Sequence, residues 1–306
     1  MIFNSYFNAK LLLTAEYLVL NGATALAMPL RFGQSLSVQA SEQNLIAWQS
    51  FSNDGSVWFS AEYSLEDFRI ISCSNPEIAV FPQRLLTAAR TLNHEFCAGS
   101  SGFSVVATLN YPLTWGLGSS STLTAAVAGW AGIDPFLLYF EVSAGSGYDI
   151  ACATATGPVL YSVTEHKPLV KQVHFSPAFA GEIYFVYQGQ KQDSAHEVAR
   201  FRARIQNPDK TLIESISLLS DSMLHSSSLD EFEEVIKEHE KLMSNLLEVP
   251  PLKESRFSDL PGEVKSLGAW GGDFCMITWH KEPHLLSAYL KSKGLEIVFN
   301  FNDIVL

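Results

Sequence analysis

The sequence is poor in several things, and each shortage excludes something. Only 20 of its 306 residues are lysine or arginine, against 32 aspartates and glutamates, for a formal charge of −12. Binding a long nucleic-acid backbone rests on clustered cations, so nucleic acid is not expected as a partner. The shortage is uneven. Residues 1–165 hold five cations, Lys10, Arg31, Arg69, Arg84 and Arg90, and the other fifteen fall in the last 141 residues. Cysteine is scarce too. Cys73, Cys97, Cys152 and Cys275 stand far apart, with no CxxC pair and no zinc spacing, and read as reduced, buried thiols of a cytoplasmic protein. No basic stretch precedes an apolar one at the N-terminus, and Glu16 interrupts the apolar run 11–20, so no signal peptide is expected. Charge is missing altogether from 96–133, longer than the ~20 residues a membrane-spanning helix needs. Pro112, Gly116, Gly118 and three consecutive serines break that stretch, which reads as strand, loop and buried helix, not a span.

What is present is core-forming material. Apolar residues make up 47% of the chain and charged ones 17%, a balance that supports packed cores and little disorder. The length suits two domains of about 150 residues each. The boundary is expected near 165–180, giving domains of 1–170 and 171–306. Residues 7–19 read as a strand pair with a turn at Asn21-Gly22, and 30–40 as a further strand. Asn53-Asp54-Gly55 reads as a hairpin turn. Helices are expected over 81–92, 119–132 and from Asp134-Pro135 onward. The second half reads as strands at 182–187, 274–279 and 296–301. Its helices are expected at 193–206 and 209–225, with a capping box at Ser228–Glu231 opening a long one to 247. Strands and helices mix without a βαβ rhythm, which points to α+β architecture.

The sharpest local signal is Pro112-Leu-Thr-Trp-Gly116-Leu117-Gly118-Ser119-Ser120-Ser121-Thr122, between a strand and a helix. Glycines let backbone approach a ligand closely, and the helix start offers amide groups and a positive dipole end. Such a loop is either a tight turn with its cap or an anion site that needs few cations. It is not a Walker loop, because Ser119 stands where the lysine belongs, and not a dinucleotide fingerprint, because Ser121 replaces the third glycine. Asp149, within Gly145-Ser-Gly147-Tyr-Asp149-Ile-Ala151, is an acid among small and apolar residues, hence a helix cap or a functional carboxylate.

Three ordered segments resemble the GHMP kinases, the family of galactokinase and the homoserine, mevalonate and phosphomevalonate kinases. The loop 112–121 resembles the family's Pro-x-x-x-Gly-Leu-Gly-Ser-Ser motif. Asn8-Ala-Lys10-Leu-Leu-Leu-Thr-Ala15-Glu16-Tyr17 is similar to its Gly-Lys-x-x-x-x-Gly-Glu-[His/Tyr] segment, and Ser266-Leu-Gly268-Ala-Trp270-Gly271-Gly272-Asp273 to its third, glycine-rich motif. Ala9 and Ala15 stand where glycines are usual, and Leu267 and Trp270 interrupt the third motif. The resemblance implies a two-domain α+β fold with an N-terminal half like ribosomal protein S5 domain 2, a ferredoxin-like C-terminal half, and a cleft between them. It implies ATP and Mg²⁺ as cofactors and a small-molecule acceptor, with the protein a monomer or homodimer.

By the same resemblance, Asp149 and Lys10 are the catalytic pair. Pro112, Gly116, Leu117, Gly118, Ser119, Ser120 and Ser121 hold the nucleotide. Glu16, Tyr17, Gly147, Lys191, Ser194, Gly268, Gly271, Gly272 and Asp273 face the acceptor. Ser120, with Glu141, faces the metal. Glu16-Tyr17, Gly145–Ala151 and Gly272-Asp273 lean toward the phosphomevalonate kinases, with mevalonate or another small alcohol as the alternative and a non-catalytic nucleotide-binding relative as the third. Lys191, Arg200, Arg202 and Arg204 supply cations near the candidate acceptor stretch 189–194, and 200 and 204 share a helical face.

Overall fold

The computed structural model describes residues 1–189, 194–270 and 272–306, with backbone only for Ser194 and Ala195. The chain divides into two compact units, each assembled from separate segments. The first comprises Met1–Ala9, Phe32–Leu113 and Gly118–Thr154, the second Lys10–Arg31, Thr114–Leu117 and Ala155–Leu306. Strands β1 (Phe3–Leu12) and β2 (Ala25–Ser41) begin in one unit and end in the other.

In the first unit, β2 continues into a sheet with β3 (Leu45–Phe51), β4 (Val57–Ser64), β5 (Ile70–Cys73) and β6 (Gly102–Leu109), in the order β5-β4-β3-β6-β2. Gly55, at φ +82, makes the expected β3–β4 turn. β3 and β6 are the parallel pair, and α1 (Pro76–Leu92) lies in the connection that such a pairing requires. α1 starts where it does because Asn75 Oδ1 accepts from the amides of Glu77 and Ile78 and Pro76 needs no partner for its nitrogen. Helices α2 (Ser119–Ala131), α3 (Pro135–Val142) and α4 (Tyr148–Thr154) complete the unit. Strand residues Trp48, Phe59, Tyr63 and Val105 share one core with Leu85, Ala126, Leu138 and Ile150 of the helices. α2 carries no charge and is built of small residues buried on nearly every side, as a helix enclosed by a core must be.

In the second unit, the opening residues of β2 pair with β7 (Val159–Thr164), and β7 with β8 (Lys167–Gln172). β8 is exposed along most of its length, so it shows no alternation and escaped the sequence reading. A four-stranded antiparallel sheet follows, built from β9 (Ile183–Tyr187), β10 (Val264–Ser266), β11 (Phe274–Thr278) and β12 (Val298–Asn300) in the order β10-β11-β9-β12. First and third strands are central and second and fourth lie at the edges, the ferredoxin-like arrangement. Helices α5 (Ser194–Arg204), α6 (Lys210–His225), α7 (Leu229–Leu247) and α8 (Leu252–Ser255) connect β9 to β10. α9 (Pro283–Ser292) connects β11 to β12, and α10 (Phe301–Ile304) ends the chain. The capping box of α7 forms one residue wider than its pattern: Ser228 Oγ accepts from the Glu231 amide, and the Glu231 carboxylate accepts from the Ser227 amide.

The strand pair expected over 7–19 is not there. β1 ends at Leu12, and the chain turns through Ala15 and Tyr17, both at φ +61, into a short 3-10 turn at Leu18–Asn21. Left-handed backbone cannot continue a strand. Ala15 occupies the position where the resembled motif carries glycine, and its φ shows why glycine is at ease there. Among the described residues no helix is long and apolar enough to cross a membrane.

Candidate functional site

In the first unit the site is built on backbone. Gly118, at φ +94, is the N-cap of α2 and brings no side-chain cap. Its carbonyl accepts from the amides of Ser121 and Thr122 at 3.1 and 3.0 Å, which leaves the preceding amides at the open, positive end of the helix. Thr122 Oγ1 secures the turn through Gln34 Oε1 at 2.7 Å and the Ser119 carbonyl at 3.0 Å. Ser119 is half-buried and Ser120 exposed. Ser121 is buried, and its hydroxyl donates to Asp149 Oδ2 in a very short contact. Gly147, at φ +88, turns the chain into α4, and its carbonyl accepts from the Ile150 and Ala151 amides, so Asp149 sits in the helix's first turn. The second carboxylate oxygen, Asp149 Oδ1, is buried with no hydrogen-bond partner among the described residues. A buried carboxylate oxygen with nothing bound to it is costly unless a ligand completes it.

Ser121 and Asp149 are thus brought together across 28 positions. The hydroxyl on the acid is Ser121's, whereas Ser120 was expected to face the metal. Glu141 stands exposed on α3, and no group of three or more His, Cys, Asp or Glu side chains suited to a metal occurs among the described residues.

In the second unit the three motifs meet. The Lys10 amide donates to the Leu117 carbonyl at 3.2 Å, and its Nζ reaches the Gly116 carbonyl at 3.4 Å. A Cβ on Gly116 would fall 2.2 Å from the Asp273 carboxyl, and Gly116 has φ +67, so only glycine fits between loop and acid. Asp273 is itself left-handed, at φ +47, and its carbonyl accepts from the Gln188 amide at 2.7 Å. Trp115 is held by the rings of Phe299, Phe274 and Tyr187 at 5.2, 5.9 and 6.4 Å, and Tyr187 donates to the Thr114 carbonyl. Pro112 is half-buried, Leu117 buried, and Gly268 left-handed at φ +60 with open space around it; Gly272 is buried. Lys191 and Gly271 lie outside the described residues, and Ser194 opens α5 with its side chain outside them too.

The structure places Glu16 in a fully buried charge cluster, where its carboxylate is occupied from within the fold. Lys265 Nζ lies 2.7 Å from Glu16 Oε1 and 3.3 Å from Glu240 Oε1, and all three side chains are at most 5% exposed. Ser266 Oγ donates to Glu240, and His239 Nε2 accepts the Ala15 amide at 3.1 Å while lying 3.4 Å from Glu16 Oε2. Burial pushes the Glu16 carboxyl up to about 7 against the pull of Lys265, raises Glu240 as well, and holds His239 well below the ordinary imidazole value. Sequence reasoning missed Lys265 and His239 because their partners Glu16 and Ala15 lie over 200 residues away, and Glu240 because it is tied to the cluster through Lys265 and Ser266. The only trace was a lysine set between Val264 and Ser266 in a short strand. Tyr17 is buried, stacks on Phe201 at 4.8 Å and donates to the Ala269 carbonyl at 2.9 Å.

No protein-family model and no curated protein matches the sequence. Solved structures do match the fold over its whole length. Mevalonate kinase of Methanococcus jannaschii aligns over 97% of each chain at 19% identity with a TM-score of 0.69. Phosphomevalonate kinase of Streptococcus pneumoniae, in complex with phosphomevalonate and AMPPNP, aligns over 97% of this chain and 99% of that one at 19% identity and a TM-score of 0.70. Galactokinase of Lactococcus lactis, complexed with galactose, aligns over 95% and 89% at 15% identity and a TM-score of 0.66. The chain therefore has the fold of the GHMP kinases.

Proposed function

We propose that the protein is an ATP-dependent phosphotransferase that phosphorylates a small molecule, with phosphomevalonate as the favoured acceptor. The observation that carries the reading is the Ser121–Asp149 contact, which fixes one carboxylate oxygen and leaves Oδ1 buried and unpartnered. A carboxylate held this way suits the task phosphoryl transfer sets for protein side chains, which is to orient an attacking hydroxyl and take its proton. Ser121 keeps the carboxylate from rotating, so Oδ1 is the oxygen that accepts. Lys10, fastened by its backbone to the glycine loop and with its ammonium on the Gly116 carbonyl, is the cation for the transferred phosphoryl charge. The loop 116–121 offers backbone amides to phosphate oxygens, which suits a first unit so short of cations.

Magnesium fits the oxygen donors present. The exposed Ser120 hydroxyl is a hard ligand, and Mg²⁺ ordinarily completes its shell with water and phosphate oxygens, so a site without an acidic cluster is compatible with it. When bound, it would supply charge neutralisation at the nucleotide phosphates. A second reading, with mevalonate or another small alcohol as acceptor, is supported by the equal likeness to mevalonate kinase. A coupled ADP-release assay across mevalonate, phosphomevalonate, homoserine and galactose decides between the two. ATP turnover with none of them overturns the kinase reading and leaves a nucleotide-binding relative.

A further inference from the structure

A pocket of about 110 Å³ opens within the second unit between α5, Tyr17, the residues after α7 and the third glycine motif. Its walls combine three kinds of group. Apolar surface comes from Phe201, Leu247, Val249 and the rings of Tyr17 and Trp270. Cations come from Arg200 and Arg204. The third is an unused donor on a lining residue: the Trp270 indole nitrogen, buried just behind that ring's surface, is the only buried side-chain polar atom of the pocket's described residues with no hydrogen-bond partner. Trp270 sits at φ +47, in the motif where the resembled pattern carries small residues, so this donor is a feature of this chain and not of the pattern.

The charges are not equivalent. Arg204 is committed: it donates to the Leu246 carbonyl at 2.6 Å and lies 3.7 Å from Glu248. Arg200 is 72% exposed, and among the described residues its ion pair is with Glu197, at 3.8 Å, while Glu197 also faces His196 at 3.4 Å. An exposed pair at that distance is worth little, so an anion entering the pocket competes easily for the guanidinium. The Tyr17 hydroxyl is already spent on Ala269, and Glu197 is the one carboxylate in the lining. Donors therefore outnumber open acceptors, and the apolar walls leave room beside them for a short carbon skeleton.

We propose that this pocket seats the anionic end of the acceptor, a small aliphatic carboxylic or phosphoric acid, with Arg200 and the Trp270 N–H as the specificity-determining donors. The proposal rests on the kinase reading above. It favours an acid over a neutral sugar, whose hydroxyls can accept from these donors but bring no negative charge to the guanidinium. Charged hydrogen bonds contribute about 1.5–3 kcal/mol and neutral ones about 1, so removing Arg200 is expected to weaken acid binding on the order of 10- to 100-fold and removing the indole N–H about fivefold.

The test is calorimetric titration of the full chain, without ATP, with mevalonate, phosphomevalonate and galactose, repeated on Arg200→Gln and on Trp270→Phe, which keeps the ring and drops the donor. Thermal melts confirm that both variants fold. The acids are expected to bind more tightly than galactose. Arg200→Gln should lose at least tenfold and Trp270→Phe about fivefold, and Arg200→Lys should regain part of the loss. Parental affinity in both variants, binding of galactose as tight as of the acids, or no binding of either acid overturns the pocket assignment. The two readings fail separately. Acid binding that depends on these residues without ADP release from any acceptor sinks the kinase and keeps the pocket. Turnover of an acid whose KM ignores both substitutions sinks the pocket and keeps the kinase.

Discussion

The two units handle charge in opposite ways. The first unit holds three of the chain's 20 cations, and backbone carbonyls take two of them. Arg84 donates to the Val142 carbonyl, and Arg90 donates to four backbone carbonyls and stacks over Phe68 at 4.1 Å. Arg69 lies at the surface against Asp67. None of these contacts involves the candidate phosphate loop, which offers glycine backbone, a helix end and hydroxyls. The second unit holds the other seventeen cations and, among the described residues, buries one, Lys265, between two carboxylates. Scarcity of charge in a half-chain therefore says how an anion is held, by dipoles or by ions, and not whether one is held.

The difference is sharpest in two substitutions. Asp149→Asn keeps the contact with Ser121 but removes the base. It is expected to lower kcat by about 10²–10⁴-fold with ATP binding retained. A coupled assay beside nucleotide titration checks this, and a loss below tenfold would remove Asp149 from the chemistry. Lys265→Met does the reverse. It leaves Glu16 and Glu240 buried without their cation, at a cost of about 3–5 kcal/mol of stability, because an uncompensated buried charge is the expensive outcome. Urea unfolding measures it. A cost below about 1 kcal/mol would mean that both carboxylates are protonated in the folded chain and that the cluster is not ionic.

A smaller effect is expected at the loop. Gly116→Ala places a Cβ 2.2 Å from the Asp273 carboxyl at φ +67. A strained backbone position of this kind costs about 1–3 kcal/mol, and the displaced loop should weaken nucleotide binding as well. Gly181→Ala, where nothing lies within 4 Å and φ is ordinary, is the control and should be close to neutral. Equal melting temperatures for the two variants would contradict the packing of loop against acid.

Legibility in the sequence follows the same division. The first unit's turns and helix starts were readable because their signals are local. Glycines at 116 and 118, serines at a helix start and Asp134-Pro135 fix where chain turns and helices begin, and α2 runs within one residue of its expected bounds. Which serine faces the acid was not readable, since Ser121 and Asp149 meet only after α3 and α4 have packed on α2. In the second unit the decisive contacts join residues from opposite ends of the chain. Glu16 looked like a polar interruption of an apolar run and Lys265 carried no signal of its own, yet each is buried because the other is there. Pairwise ionic burial leaves no periodic trace, whereas a glycine at positive φ leaves its own letter.

The subtlest contrast lies in pH. The first unit's acid is proposed to act in turnover, whereas the second unit's cluster should show in stability. With Glu16 raised to about 7 in the folded chain and ordinary in the unfolded one, the unfolded state releases the proton first. Glu16's contribution is then fully present below pH about 4.5 and is lost as pH rises toward 7. His239 acts with the opposite sign. Its value is depressed on folding, so its contribution is present above the ordinary imidazole range and lost as pH falls. The two slopes oppose each other across the same interval and flatten the parent's curve. Glu16→Gln removes the falling component alone, so unfolding free energies from urea titrations should match the parent's profile near pH 4.5 and climb relative to it up to pH 7. Profiles that stay parallel across that range would show that Glu16 is ionised throughout, and that Lys265 outweighs the cost of burial.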